Sequence, residues 1–205
     1  MNSNISSSQK YKVTFVLVAL NVAVYVYTSV AGGSFFRYWG DPLNLGQYNL
    51  AVFQGAYYQL FTAMFVHDGI LHLAGNMLFL LIFGLRGEEM FSLPEYLGIY
   101  VFGGLAGNVL SLVLGPNLFS VGASGAIFAL LGGCLTYSRR SIGQSVVGAL
   151  IFGFFLLIIM STGENTNILA HVGGLAAGLG LGYLFARLHG TPVQYQVRYR
   201  YMSPF

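Results

Sequence analysis

The stretch Gly122-Ala123-Ser124-Gly125 opens an apolar run that continues to Tyr137. Taken alone, a serine between glycines at the start of a helix is best explained as an N-cap, because its hydroxyl can pair with a first-turn backbone N–H group that has no other partner. Two further apolar segments also open on polar and small residues. They begin His72-Leu73-Ala74-Gly75-Asn76 and Ala170-His171-Val172-Gly173-Gly174-Leu175-Ala176-Ala177-Gly178. If all three segments are helices of one bundle, a serine, a histidine and hydrogen-bond donors lie on three of them, and the depth and facing of each residue decide whether they meet.

The composition is that of a membrane protein. Of the 205 residues, 56% are hydrophobic and 7% are charged, whereas soluble globular domains have roughly 25% charged residues. The 28 glycines and 17 phenylalanines supply the small and bulky side chains that allow helices to pack closely in lipid. The net charge of +3 is too small and too scattered to indicate nucleic-acid binding, and the single Cys134 excludes an intrachain disulfide.

Six apolar segments approach or reach the roughly 20 residues that a helix needs to cross a bilayer. They cover residues 13–31, 70–85, 94–114, 124–137, 142–160 and 168–184. We therefore predict an all-α membrane protein with one six-helix domain over residues 13–188, flanked by tails at 1–12 and 189–205. Residues 32–66 mix aromatic and polar side chains, which favours a partly embedded loop with short helices. No strand pattern is evident, and Asn21 is expected to face another helix rather than lipid.

The basic residues predict an orientation in the membrane. If all six segments span, eight of them lie on the side of the N-terminus, and Arg37 lies opposite. The eight are Lys10, Lys12, Arg86, Arg139, Arg140, Arg187, Arg198 and Arg200. The positive-inside rule then makes both tails cytoplasmic. A bacterial or archaeal plasma membrane is the expected location, with an organelle membrane as the alternative.

Ser124, His72 and His171 are expected at a similar depth, near the outer ends of their helices. They precede a cytoplasmic arginine of their own segment by 15, 14 and 16 residues, which is roughly 22, 21 and 24 Å at about 1.5 Å per residue. Small residues also follow His171 along one helical stripe, and the fourth segment has small residues of its own. They are Gly174, Gly178 and Gly182, and Gly125, Gly132 and Gly133. Close packing of these glycines would bring His171 to Ser124.

These residues have the chemistry of nucleophilic catalysis. A serine hydroxyl becomes a good nucleophile when a neighbouring histidine takes its proton, so Ser124 and His171 could form a dyad. The backbone N–H of Ser124 and the side chains of His72 and Asn76, which share a helix face, are suitable donors to an oxyanion. No carboxylate in an obvious place completes a triad: Asp68 and Glu164 are expected in outer loops, where carboxylates are usually solvated. The scheme needs no metal and no cofactor.

At this point the sequence resembles the rhomboid family of intramembrane serine proteases. The family's Gly-x-Ser-Gly matches residues 122–125, its Ala-His-x-x-Gly-x-x-x-Gly matches 170–178, and its His-x-x-x-x-His-x-x-x-Asn matches His67, His72 and Asn76. The resemblance implies a six-span rhomboid-like bundle with Ser124 as the nucleophile and His171 as the general base. It also implies His72, Asn76 and the Ser124 amide as oxyanion donors, residues 32–66 as a half-embedded first loop, and residues 161–167 with the fifth helix as a substrate gate.

The expected substrates are single-pass or other membrane proteins, cut near the outer membrane face, and membrane lipids are the other expected contacts. Two positions depart from the family pattern. A tyrosine is frequent where this chain has Phe128, and a Trp-Arg pair is frequent where it has Tyr58-Gln59. A phenyl ring can still stack on the histidine but cannot donate a hydrogen bond. His67 lies off the face of His72 and is interpreted as a loop histidine. The substrate, the cleavage site and the oligomeric state are left open.

Two alternatives to a protease are considered. A catalytically silent rhomboid-like protein would bind membrane clients, but the presence of both Ser124 and His171 counts against it. A small transporter would place polar residues along a midplane path between inverted repeats. No such repeat is evident, and the polar residues cluster near one face. An intramembrane serine endopeptidase is therefore the favoured interpretation.

Overall fold

The protein is described from a computed structural model, in which residues 12–35, 44–142 and 167–189 are described. In chain order the helices are α1 (Lys12–Gly32), α2 (Asn49–Phe53), α3 (Gln59–Thr62), α4 (Ile70–Met90), α5 (Leu93–Ser111), α6 (Ser124–Ile142) and α7 (Ile168–Leu188). Single 3₁₀ turns cover Ala63–Phe65 and Leu112–Leu114.

Four helices of the described part are long and apolar enough to cross a membrane: α1, α4, α7, and α5 with the 3₁₀ turn that follows it. Helix α6 has a shorter apolar portion, Ser124–Tyr137. Five of the six predicted segments are therefore helices, with ends that differ from the predicted ones by a few residues. The fifth predicted segment, at 142–160, lies outside the described residues apart from Ile142.

The loop between α1 and α4 contains short helices, as its mixed sequence predicted. One feature of this loop was not expected: a two-residue strand β1 (Gln47–Tyr48) pairs antiparallel with β2 (Phe119–Ser120), just before α6. Two residues are too few for an alternating pattern to show in a sequence. Together with a hydrogen bond from the Gly122 N–H to the Ala63 carbonyl at 2.9 Å, this pair attaches the first loop to the segment that enters α6.

Buried amides anchor the same loop on α5. The side-chain nitrogen of Gln47 lies within hydrogen-bonding distance of three acceptors, and the nearest are Asn49 Oδ1 at 2.8 Å and Ser111 Oγ at 2.9 Å. Asn108 of α5 in turn donates to the carbonyl of Leu60 at 2.8 Å. Because buried polar groups are costly without partners, this network fixes the loop in one conformation.

Helices α6 and α7 touch through their backbones along the predicted small residues. We call this contact the glycine seam; it consists of Gly125, Ala129 and Gly133 on α6 and Gly174, Gly178 and Gly182 on α7. A Cβ atom added at Gly174 or at Gly178 would lie only 2.0 Å from a carbonyl oxygen of α6. Helix α5 packs on the same pair, since a Cβ at Gly107 would lie 2.3 Å from the Ala170 carbonyl oxygen.

Helix α1 packs against α4 at the edge of the bundle. The Glu88 carboxylate of α4 accepts a hydrogen bond from the Thr14 N–H at 2.6 Å, and the Thr14 hydroxyl lies 3.0 Å from the Tyr96 hydroxyl of α5. Asn21 is fully buried and donates to the carbonyl of Leu17 at 2.7 Å. The prediction that Asn21 faces the protein rather than lipid is therefore confirmed.

Candidate active site

Ser124 is the first residue of α6 and is buried. The chain reaches it through Gly122, whose φ of +125° is a backbone conformation that residues with a side chain rarely adopt. The glycine at 122 is thus required by the turn that aims the start of α6 into the bundle.

The Oγ atom of Ser124 lies 2.7 Å from Nε2 of His171, which is within hydrogen-bonding distance. Both side chains are buried. The two residues are 47 positions apart in the sequence, and the glycine seam holds their helices together directly below them: Gly174, one turn after His171, packs on the carbonyl of Gly125. The serine hydroxyl therefore contacts a histidine, which the capping interpretation of this residue did not include.

Asn167 sets the start of the helix that carries His171. Its side-chain oxygen accepts a hydrogen bond from the Ala170 N–H at 3.1 Å, which caps α7, and its nitrogen donates to Ser120 Oγ at 3.1 Å. One asparagine thus joins the beginning of α7 to strand β2, which leads to Ser124. Asn167 was not among the residues predicted for the site, although asparagine is a favoured N-cap residue.

The ring of Phe128, one turn after Ser124, stacks on the ring of His171. The ring centroids are 4.7 Å apart, and the planes are inclined by 30°. A phenyl ring was expected to be able to stack on the histidine in place of the tyrosine that is frequent at this position, and Phe128 does so. The phenyl ring fills the space beside the imidazole and limits its rotation.

His72 borders the same site from α4. A Cβ atom at Gly122 would lie 2.9 Å from Nε2 of His72 and 3.8 Å from Oγ of Ser124. The space that a side chain at Gly122 would fill is therefore lined by the Nε2 edge of His72 and by the serine oxygen. A small polar atom placed there could reach both groups.

Asp68 pairs with His72 instead of pointing into solvent. Its Oδ1 atom lies 2.6 Å from Nδ1 of His72, and both side chains are about one-third exposed. This hydrogen bond holds the pKa of the Asp68 carboxyl below its usual value, in spite of the partial burial that acts in the opposite direction. The expectation that Asp68 is a solvated loop carboxylate is wrong, and Glu164 lies outside the described residues.

Asn76 is buried one turn below His72 on α4. One N–H of its amide donates to the carbonyl of His72 at 2.9 Å, within the same helix. In the described part of the chain, its Oδ1 atom has no hydrogen-bond partner. The structure thus brings Ser124, His171 and His72 together, while the hydrogen bond observed for Asn76 is directed along its own helix.

Comparison with known proteins identifies the family of this chain. Residues 54–188 match the Rhomboid domain. The chain belongs to the rhomboid family. YdcA of Bacillus subtilis is 33% identical over 177 residues, which cover 84% of this chain and 87% of YdcA. The rhomboid protease GluP of the same bacterium is 31% identical over 172 residues, 80% of this chain and 33% of GluP.

RHOMBOID-like protein 6, mitochondrial, of Arabidopsis thaliana is 37% identical over 132 residues. These residues are 62% of this chain and 43% of the plant protein, so the rhomboid chain described here spans less than half of that relative. The matched range, 54–188, begins within the first loop and leaves α1 outside it. It includes every residue of the site described above.

His67, the first histidine of the rhomboid motif, lies in the loop before α4, as interpreted from the sequence, and it is buried there. Its side chain is 1% exposed, and its ring contacts the ring of His72 edge to face, with 5.2 Å between centroids. Neither ring nitrogen has a hydrogen-bond partner among the described residues. Burial, with a smaller contribution from His72, lowers the pKa of His67 to about 3. His67 is therefore neutral at physiological pH.

The burial of His67 predicts acid sensitivity of this rhomboid. The unfolded chain gains a proton at His67 below about pH 6.5, whereas the folded chain resists it until about pH 3. Stability should therefore fall as the pH drops through this window, by at most about 1.4 kcal/mol per pH unit from this group. We expect the melting temperature of a His67→Gln variant to fall less than that of wild type when the pH is lowered from 7 to 4.5 in the same detergent.

The control is Met64→Leu, which changes a buried side chain of the same loop that does not titrate. It should keep the wild-type dependence of melting temperature on pH. An equal dependence in wild type and in His67→Gln would contradict the burial argument. The comparison concerns the slope with pH, so a constant loss of stability in either variant does not affect it.

Proposed function

We propose that this rhomboid is an intramembrane serine endopeptidase in which Ser124 and His171 form a catalytic dyad. The observation that carries the proposal is the 2.7 Å contact between Ser124 Oγ and His171 Nε2, buried between two helices that touch through glycines. A serine that only capped α6 would not need a histidine on its hydroxyl. The contact has the geometry of an activated nucleophile.

The reaction follows from the positions of these atoms. The Ser124 hydroxyl gives its proton to His171 Nε2 while Oγ attacks the carbonyl carbon of the scissile bond. As the tetrahedral intermediate collapses, the C–N bond breaks and His171 returns the proton to the leaving amine. A water molecule, deprotonated by His171, then hydrolyses the acyl-enzyme and regenerates Ser124.

The negative charge that develops on the carbonyl oxygen needs donors. We assign this role to His72 Nε2, to the backbone N–H of Ser124 at the start of α6 and to the free amide hydrogen of Asn76. His72 Nε2 borders the space beside Gly122, and the Ser124 N–H lies at a helix N-terminus, which favours negative charge. Asn76 would act from the turn below and is the donor that the observed hydrogen bonds support least.

The substrates that we propose are transmembrane segments of other membrane proteins. A substrate helix has its carbonyls hydrogen-bonded internally, so it must unwind before a carbonyl reaches Ser124. Helix-breaking and small residues near the cut would make this step easier. We further propose the six-span arrangement with both termini cytoplasmic and the site near the outer face of a plasma membrane. The excess of basic residues on the N-terminal side supports this orientation.

Two measurements on the purified full-length chain test the proposal. The first is cleavage of a fluorescent transmembrane substrate in detergent and in lipid vesicles. The second is labelling with a fluorophosphonate, which reacts with activated serines, followed by mass spectrometry of the peptide that contains Ser124. Cleavage together with a label on Ser124 supports a protease. Absence of both, across several substrates, would contradict it and favour a rhomboid that binds clients without cutting them.

A further inference from the structure

The Asp68 carboxylate has no role in the mechanism proposed above, yet it pairs with His72, one of the proposed oxyanion donors. Asp68 is located two residues before α4, and His72 lies in the first turn of that helix, so the two side chains are spaced i and i+4. We propose that Asp68 is a positioning residue that orients His72 and strengthens it as a donor to the oxyanion. This inference rests on the proposed function.

The His72 ring is oriented by contacts of its Nδ1 atom on one side and of its Cε1–Nε2 edge on another. Nδ1 of His72 lies 2.6 Å from the Asp68 carboxylate, and the edge formed by Cε1 and Nε2 faces the space beside Gly122. With Nδ1 held by Asp68, a flip of the ring would turn a carbon atom toward the carboxylate and break the hydrogen bond. Asp68 therefore selects one of the two ring orientations, and with it the direction in which Nε2 points along the edge of this space.

The ability of His72 to donate from Nε2 depends on how many protons its ring carries. An imidazole that carries its single proton on Nδ1 has only a lone pair at Nε2 and cannot donate there. A ring that bonds a carboxylate through Nδ1 and an oxyanion through Nε2 must carry both protons, and hydrogen bonds from a charged donor are about twice as strong as neutral ones. The carboxylate of Asp68 would compensate the charge of a doubly protonated His72 ring while that ring donates to the oxyanion.

The surroundings of His72 leave this role to Asp68. The other ionisable side chains that act on His72 are His67, whose ring contacts it, and His171 across the site. Both are histidines, which repel rather than stabilise a positive charge on His72 when they are protonated. Asp68 is the carboxylate that the described contacts place on this ring. The low pKa of Asp68 keeps it ionised at neutral pH.

The test compares Asp68→Asn, which keeps an oxygen for Nδ1 but removes the charge, with Asp68→Ala, which removes both. The readouts are kcat, KM, and the inhibition constant of a peptide aldehyde, whose adduct with the serine places an oxygen in the oxyanion position. We expect kcat to fall by about 10- to 100-fold in Asp68→Ala and less in Asp68→Asn, below the 10²–10³-fold typical of losing an oxyanion donor. The inhibition constant of the aldehyde should rise by the factor by which kcat/KM falls, while KM stays near its wild-type value.

A double-mutant comparison separates this role from a general structural one. In a His72→Ala background, Asp68→Ala should have little further effect, because Asp68 acts through His72. Additive losses in the double variant, or wild-type kcat and aldehyde affinity in both Asp68 variants, would overturn the inference. Glu89→Gln is the matched control, since it removes a carboxylate that pairs with Arg86 near the other end of α4.

The two proposals fail in different ways. If wild type neither cleaves nor takes a fluorophosphonate label, the protease itself is refuted, and the role of Asp68 with it. If wild type is active and depends on Ser124, but the Asp68 variants behave as wild type, only the role of Asp68 is refuted.

Discussion

Replacement of Ser124 by alanine is expected to abolish cleavage, with a loss of kcat on the order of 10⁴- to 10⁶-fold. The hydroxyl at this position is 2.7 Å from the histidine that would take its proton, and an alanine leaves no atom to form the acyl-enzyme. His171→Ala should cost about as much, since the serine then has no base. Because the two residues act as a unit, the double variant should be no worse than either single variant.

The measurement is the initial rate of cleavage of a fluorescent transmembrane substrate, with each variant purified by the same procedure. Thr136→Val is the matched control: it removes a hydroxyl from α6 that hydrogen-bonds carbonyls of Gly132 and Leu179 away from the site. It should retain most of the wild-type rate. Cleavage by Ser124→Ala at the wild-type rate would rule out the dyad and indicate a contaminating protease or another nucleophile.

A single methyl group in the glycine seam is expected to have the next largest effect. In Gly174→Ala the new Cβ would lie 2.0 Å from the Gly125 carbonyl oxygen, far inside the closest approach of such atoms, so α6 and α7 must separate by about 1 Å. A displacement of this size between catalytic groups can cost about 100-fold in rate. We expect a loss of kcat of at least this factor, together with a lower melting temperature.

The control for this substitution lies on the same helix. A Cβ atom at Gly180 would meet no atom within 4 Å, and alanine is the better helix former by about 1 kcal/mol. Gly180→Ala should therefore leave the rate unchanged and should not lower the melting temperature. If Gly174→Ala also retained wild-type rate and stability, the seam would not be what sets the distance between Ser124 and His171.

The contact between Ser124 and His171 could be predicted from the sequence because helices are regular. A fixed rise per residue gives the depth of a side chain, and the spacing of Gly174 and Gly178 gives the face that packs. The burial of Asn21 follows from the cost of a polar group in lipid. These predictions depend only on the period of a helix and on the cost of placing polar groups in lipid, and both can be applied to a single sequence.

The environment of the loop residues could not be predicted in the same way. Asp68 and His67 are neighbours in the chain, yet Asp68 is about one-third exposed and pairs with His72, whereas His67 is buried and contacts the ring of His72. Which of the two turns inward depends on the path of the loop, and that path is fixed by distant contacts such as the Gly122 N–H on the Ala63 carbonyl. Asn167 was missed because a capping asparagine is common, and its second bond, to Ser120, is long-range.

The glycine seam also determines which parts of this molecule can change conformation. Glycine has no side-chain rotamers, so a joint between two backbones has no side-chain entropy to lose and no alternative packing to adopt. Two helices in direct backbone contact hold Ser124 and His171 at a fixed distance before a peptide binds. Because the site is already assembled, any control of turnover would act on how readily a peptide enters it.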